Sequence, residues 1–215
     1  MKRPRGHGAS KSIWKEEGDF SRLWTDVARV ALFPVPPGLG VSLARYRDEL
    51  RRFNERINLI RVRSDREFAA RHLLDALAGL PLLPDRGRVV DVGSGAGIPG
   101  LVLALARPDL AFTLVESIAK KAAFLSHARR ALTLDNVTIF AGRFEDASLD
   151  DVSLFTARAV ADPRALVQLV RTRSDAPIVI WTRPNTIEEN AERCIVYGLP
   201  DDDSDRAVMR IRASS

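Results

Sequence analysis

The chain has 215 residues, 46% of them hydrophobic and 28% charged, a balance that fits a globular protein and excludes disordered and fibrous classes. No apolar run approaches the roughly 20 residues needed to span a bilayer, and the single cysteine, Cys194, excludes an intrachain disulfide framework and a cysteine-built metal site. The net charge of +5 is unevenly placed: arginines crowd residues 45–71, whereas Asp201, Asp202, Asp203 and Asp205 crowd the far end, so the basic half points to a polyanionic partner such as RNA.

In chain order, residues 1–13 carry basic groups among Gly, Ser and Pro with too little apolar content to pack, and a mobile basic tail is expected there. Phe20, Leu23, Trp24, Val27 and Ala31 recur at helical spacing, which predicts an amphipathic helix over about Trp14–Leu32 with Trp24 on its core side. The run Pro34-Val35-Pro36-Pro37-Gly38 stops it. A second helix carries Leu39, Leu43, Tyr46, Leu50 and Phe53 on one stripe, and a third starts at the capping-box pattern Ser64-Asp65-Arg66-Glu67 and runs to about Leu80. Residues 14–87 are therefore expected to form a helical cap. Within it Asn54 and Asn58, one turn apart, are expected to tie backbone groups of the cap to the sheet.

From residue 88 to 215 the pattern changes to alternating strands and helices. Strands are predicted at 89–92, 112–115, 137–140, 152–156 and 178–181, with helical windows at 98–106 and 117–132 and Ser117 as a natural N-cap. Such a βαβ series is an α/β, Rossmann-like, doubly wound and mostly parallel sheet. Ile195-Val196-Tyr197 and Val208–Ile211, separated by an acidic turn, predict an antiparallel hairpin that closes it.

The stretch Val89-Val90-Asp91-Val92-Gly93-Ser94-Gly95-Ala96-Gly97-Ile98-Pro99-Gly100 joins a buried strand, an acid and a glycine-crowded turn. Gly93, Gly95 and Gly97 allow positive φ and close approach of backbone to a ligand, and the N–H groups of the next helix are expected to face the pocket. Gly95 to Gly100 formally matches the dinucleotide pattern G-x-G-x-x-G. Asp91, two residues before Gly93, would repel a pyrophosphate and attract a cationic group, which favours S-adenosylmethionine over NAD. Glu116, at the end of the second strand, stands where an acid grips ribose hydroxyls. Both carboxylates are also suited to capping helices.

Several segments then resemble the ribosomal RNA small subunit methyltransferase G family, also called glucose-inhibited division protein B. They are Phe53-Asn54-Glu55-Arg56-Ile57-Asn58-Leu59, Arg71-His72-Leu73-Leu74-Asp75, the Asp91–Gly100 turn, Val115-Glu116-Ser117 with Lys120-Lys121, Gly142-Arg143-Phe144-Glu145 and Ala157-Arg158-Ala159-Val160-Ala161. The resemblance implies a class I methyltransferase that uses S-adenosylmethionine to methylate a guanine N7 of small-subunit (16S) ribosomal RNA, free or in an assembling small subunit. Gly93 and Ile98 would line the cofactor, Glu116 would hold its ribose, and Phe144 with Glu145 would border the adenine. Arg158 would close the site as a positioning group, unless it is a buried arginine paired with Asp91 or Glu145. Core packing is the other reading of Phe144.

Guanine N7 has a free lone pair and no proton to lose, so no catalytic base is assigned. The RNA-contact candidates are Arg61, Arg63, Arg71, His72, Lys120 and Lys121, with a hydrogen-bonded structural role as the alternative for His72. No metal is expected, and a cytoplasmic monomer without membrane contact is. The chain departs from the family at Ile60, at Ala76 and over residues 171–184, which lack the Pro-Gly-Gly turn and the Lys-Gly pair of the family, so that either Arg183 replaces the lysine or recognition or activity is altered. A methyltransferase-fold RNA binder with altered or lost activity, or a methyltransferase with another substrate, would fit those departures.

Overall fold

A computed structural model describes residues 14–31, 33–158, 162–184 and 191–212, and the expected basic tail over 1–13 lies outside the described residues. The described strands are β1 (Arg88–Val92), β2 (Ala111–Val115), β3 (Val137–Phe140), β4 (Val152–Arg158), β5 (Ile178–Thr182), β6 (Ala191–Leu199) and β7 (Asp202–Ile211). They make one seven-stranded sheet in the order β3-β2-β1-β4-β5-β7-β6. β1 to β5 pair in parallel, while β7 runs antiparallel to both β5 and β6. The strand order reverses between β1 and β4, which opens a crevice beyond their carboxyl ends.

The closing hairpin is longer than expected. Its turn is only Pro200-Asp201, with Asp201 at φ 60°, and Asp202, Asp203 and Asp205 belong to β7 rather than to a loop. Arginines make this acidic strand tolerable. Asp202 pairs with Arg206 at 2.8 Å and Arg71 at 3.5 Å, and Asp201 pairs with Arg66 at 2.5 Å.

Alternation along the strands feeds two cores, as expected for a sheet covered on both faces. Val89, Phe112, Leu114, Leu154, Val179, Trp181 and Val208 face the N-terminal helices together with α5 (Gly100–Ala106) and α6 (Ala119–Ala131). Val90, Val115, Phe155, Ala157, Ile178, Ile180 and Met209 face α7 (Pro163–Arg171) and a 3-10 turn at Phe144–Asp146. The cap and the first face therefore bury one common cluster, with Leu43, Tyr46, Leu50, Phe68 and Leu73 wholly inaccessible.

Within the cap, α1 is Phe20–Ala28, shorter than the expected 14–32. Asp19 caps it by accepting from the Ser21 and Arg22 N–H groups, and Trp14-Lys15 is instead drawn out beside Ser64. There Lys15 N–H donates to Arg63 O at 2.7 Å and Trp14 Nε1–H donates to Asp65 at 2.9 Å. Trp24 lies in the core, 4% exposed, as its spacing predicted. α2 spans Leu39–Ile57 and ends on Asn58 at φ 44°. Asn54 does not tie the cap to the sheet: it closes the loop after α2, its amide bonding both the N–H and the carbonyl of Ile60 at 2.9 Å.

The third helix begins at Ser64 as predicted, but it is not uniform. α3 (Asp65–Phe68) widens into a π-helical stretch, Ala69–Leu74, before α4 (Asp75–Leu77). Hydrophobic periodicity carries no signal for such a widening, which tertiary contacts select. The cap meets the sheet's glycine turn through Tyr46, whose hydroxyl donates to Ala96 O at 2.6 Å.

Candidate active site

The glycine turn is pinned from below and open above. Gly93 and Ser94 N–H both donate to Val115 O at 3.0 Å, which locks the end of β1 to the end of β2. Gly93 sits at φ +71°, is exposed, and a Cβ built on it would meet nothing within 4 Å, so open space lies over its backbone. Gly97, at φ +90°, has the opposite surroundings: a Cβ there would lie 2.4 Å from Leu101 Cδ1, and its glycine serves helix packing. Ile98 is half-buried against the core cluster.

Glu116 follows β2 and is 5% exposed. Its Oε2 accepts from Gly95 N–H at 2.8 Å and its Oε1 accepts from Ile118 N–H at 2.8 Å. The carboxylate thus holds the glycine turn to the start of α6, and each oxygen keeps a lone pair for a further donor. The second bond also displaces the expected cap: the residue preceding α6 is Ile118, not Ser117, because Glu116 reaches forward to satisfy that N–H.

Asp91 is not at the pocket mouth, where the sequence placed it. It is fully buried, 0% exposed, beneath the turn. Thr156 Oγ1–H donates to its Oδ1 at 2.9 Å and Gly100 N–H donates to its Oδ2 at 3.2 Å. The first N–H of α5 is therefore consumed by Asp91 and does not face a ligand. Burial raises the Asp91 carboxyl to about 6, against the lowering effect of Ser94, Thr156, Gly100 and Arg158. Any influence on a ligand is exerted through the turn.

Arg158, the last residue of β4, points into the cap, its side chain 13% exposed. It pairs with neither Asp91 nor Glu145: its partner is Asp75, at 3.3 Å. It also donates to the carbonyls of His72 and Arg71, at 3.1 and 3.3 Å, within the π-helical stretch. Asp75 in turn accepts from Tyr197 Oη–H at 2.7 Å, and Trp181 Nε1–H donates to Asp75 O at 2.7 Å. This buried joint between cap, β4, β5 and β6 had no assigned role in the sequence. Its signal was an acid inside the apolar run Leu73-Leu74-Asp75-Ala76-Leu77, which needs a buried cation or donors. Burial and the Asp75 charge push the Tyr197 phenol far above its ordinary range, so it stays a donor.

Phe144 is core, 5% exposed and edge-on to Phe155 at 5.8 Å. Arg173 stacks on its outer face at 5.4 Å and donates to the carbonyls of Phe144 and Ala147. The atypical segment after α7 is thereby anchored through Arg173 to the turn that carries Glu145, which is exposed. Arg183 is exposed just past β5.

Among the RNA candidates, Arg63 is engaged by Glu67 and Arg71 by Asp202. Arg61, Lys120 and Lys121 have no partner among the described residues, and Arg61 and Lys120 are exposed. Phe53 packs on Phe124 and on His127, while Glu49 bonds His127 at 2.8 Å, so α2 and α6 run antiparallel. That packing runs the end of α2 towards the start of α6, whose two lysines follow Glu116.

Residues 41–192 match the model of a family described as rRNA small subunit methyltransferase G. The chain is similar to the ribosomal RNA small subunit methyltransferase G of Desulfotalea psychrophila, 35% identical over 79% of this chain and 88% of that protein. It is likewise similar to that of Solibacter usitatus, 37% identical over 80% of this chain and 89% of that protein. Among solved structures, an MtNAS mutant in complex with S-adenosylmethionine shares the fold, with a TM-score of 0.50 at 16% identity, over 89% of this chain and 72% of that one.

Proposed function

Because the chain belongs to the rRNA small subunit methyltransferase G family, we propose that it transfers a methyl group from S-adenosylmethionine to N7 of a guanine in 16S ribosomal RNA. The observation that carries this reading is the open, positive-φ Gly93 beside a fixed carboxylate, Glu116, at the switch point of a doubly wound sheet. The residues fit the cofactor. Open space over Gly93 admits a ligand against the backbone, Gly95, Gly97 and Ile98 shape the turn, and Glu116 retains lone pairs for ribose hydroxyls. Glu145 and the backbone of Phe144 stand on the turn after β3, where an adenine edge would lie.

When bound, S-adenosylmethionine supplies an electrophilic methyl on a sulfonium. Asp91, ionised above about pH 6, sets a negative potential beneath the turn that favours that cation. Arg158 braces the carboxyl edge of β4 against the cap. N7 needs no deprotonation, so the protein's task is orientation, worth up to roughly 7–11 kcal/mol when both partners are held in line. Arg61, Lys120 and Lys121 supply unspent positive charge for RNA phosphates, whereas Arg63 and Arg71 reach RNA only by giving up carboxylate partners. The substrate is the small-subunit RNA or its assembling particle, and the protein acts as a cytoplasmic monomer.

The test is methyl transfer from labelled S-adenosylmethionine to small subunits, and to protein-free RNA, from cells lacking this protein. Cleavage at N7-methylguanine maps the product. Folded protein that binds neither S-adenosylmethionine nor its demethylated product overturns the proposal.

A further inference from the structure

We propose that His72 is a substrate-contacting residue: its Nε2–H, fixed by Arg158, donates to O6 of the target guanine and selects guanine over adenine. The inference rests on the guanine-N7 reading above. Its physical basis is the contact between Arg158 Nη2 and His72 Nδ1, at 3.0 Å. A guanidinium has donors only, so Nδ1 must present its lone pair, and a neutral imidazole then carries its proton on Nε2. The ring stays neutral because burial, then the Arg158 charge, lower its pKa to about 3, with Arg206 and Arg71 acting the same way against Glu67.

The donor is fixed in direction as well. Arg158 also holds the His72 carbonyl at 3.1 Å and is itself clamped by Asp75, while the Phe68 ring lies against the imidazole with centroids 5.9 Å apart. His72 is half-buried rather than enclosed, and its Nε2 has no acceptor among the described residues, so that donor is left for a ligand. Arg158 lies two residues beyond Thr156, on the face that Thr156 shares with Asp91. His72 therefore overhangs the carboxyl edge of β4 next to the glycine turn, on the side where a substrate approaches such a sheet.

Guanine and adenine both expose N7, and they differ beside it: guanine has the acceptor O6, adenine the donor N6–H2. Position 6 is the difference that lies beside the reacting N7. A histidine whose accessible nitrogen can only donate bonds O6 and opposes an amino group.

The test uses single-turnover methylation of small-subunit RNA carrying, at the mapped position, either guanosine or 2-aminopurine riboside, which keeps N7 and lacks O6. Wild-type protein is compared with His72→Ala and with His72→Gln, whose amide also offers a donor. Intrinsic differences in N7 reactivity cancel between proteins. His72→Ala should slow guanosine roughly ten- to hundred-fold, leave 2-aminopurine unchanged, and so collapse the ratio between them, while His72→Gln restores part of it. Equal slowing of both bases, or an unchanged ratio, overturns the proposal. Should His72→Ala lose affinity for S-adenosylmethionine, the glutamine variant decides instead, and a ratio near one in wild-type protein overturns the proposal outright. Wild-type protein that binds S-adenosylmethionine yet methylates no guanine N7 fails the function reading itself, a result distinct from these.

Discussion

Asp91→Asn should stabilise the fold while weakening cofactor binding. Asp91 is fully buried, with one oxygen accepting from Thr156 and the other from Gly100. Its folded pKa of about 6 stands above the ordinary 3.8, so between pH 4 and 6 the native state binds more protons than the unfolded chain and stability falls as pH rises. By pH 7 the difference of about two units amounts to roughly 3 kcal/mol of unfavourable charge burial. An asparagine keeps an acceptor for Gly100 and carries no charge. Some of that gain is offset by the weaker hydrogen bonds of a neutral group, so a net 1–3 kcal/mol is expected, or about 2–10 °C in Tm. Thermal melts of both proteins from pH 3.5 to 8 should give a gap that opens between about pH 4 and 6 and then stays constant. Calorimetric titration should show weaker S-adenosylmethionine binding for the variant, since the negative potential under the glycine turn is gone. A pH-independent gap, or a variant less stable than wild type at pH 7.5, refutes the account of Asp91.

Four further outcomes are expected from the same geometry. Gly93→Ala should fold, because its Cβ meets nothing, at a cost of about 1 kcal/mol for the positive φ, yet lose most affinity for S-adenosylmethionine by titration. Tyr197→Phe leaves the buried Asp75 short of a donor and should cost about 1–3 kcal/mol in urea unfolding. Equal stability would show that the joint tolerates a missing partner. Replacing Arg61, Lys120 and Lys121 together by alanine should weaken RNA binding and flatten its salt dependence by up to about three contacts' worth of slope, whereas Asp201→Ala, which releases Arg66, should strengthen binding at low salt. Filter binding across a salt series separates the two.

The sequence by itself determined the positions of the first five strands, the glycine turn and the second acid, because these depend on local rules. Alternating apolar residues make a buried strand, and glycine permits a backbone that other residues resist. The same local signals misplaced several residues. Asp91 has the same sequence neighbours whether it faces solvent or lies under the turn, and only the packing of α5 and β4 around it decides. The wide turn at Ala69–Leu74 has no periodicity of its own; it is held by an arginine 86 residues away in sequence, bonded to His72. Likewise the sequence suggested six RNA contacts, but Glu67 takes up Arg63 and a hairpin from the far end of the chain takes up Arg71, leaving fewer free charges than the composition promised. Local backbone preference is written residue by residue, while burial and the pairing of charges depend on which distant segments come together, and that is decided only when the chain folds.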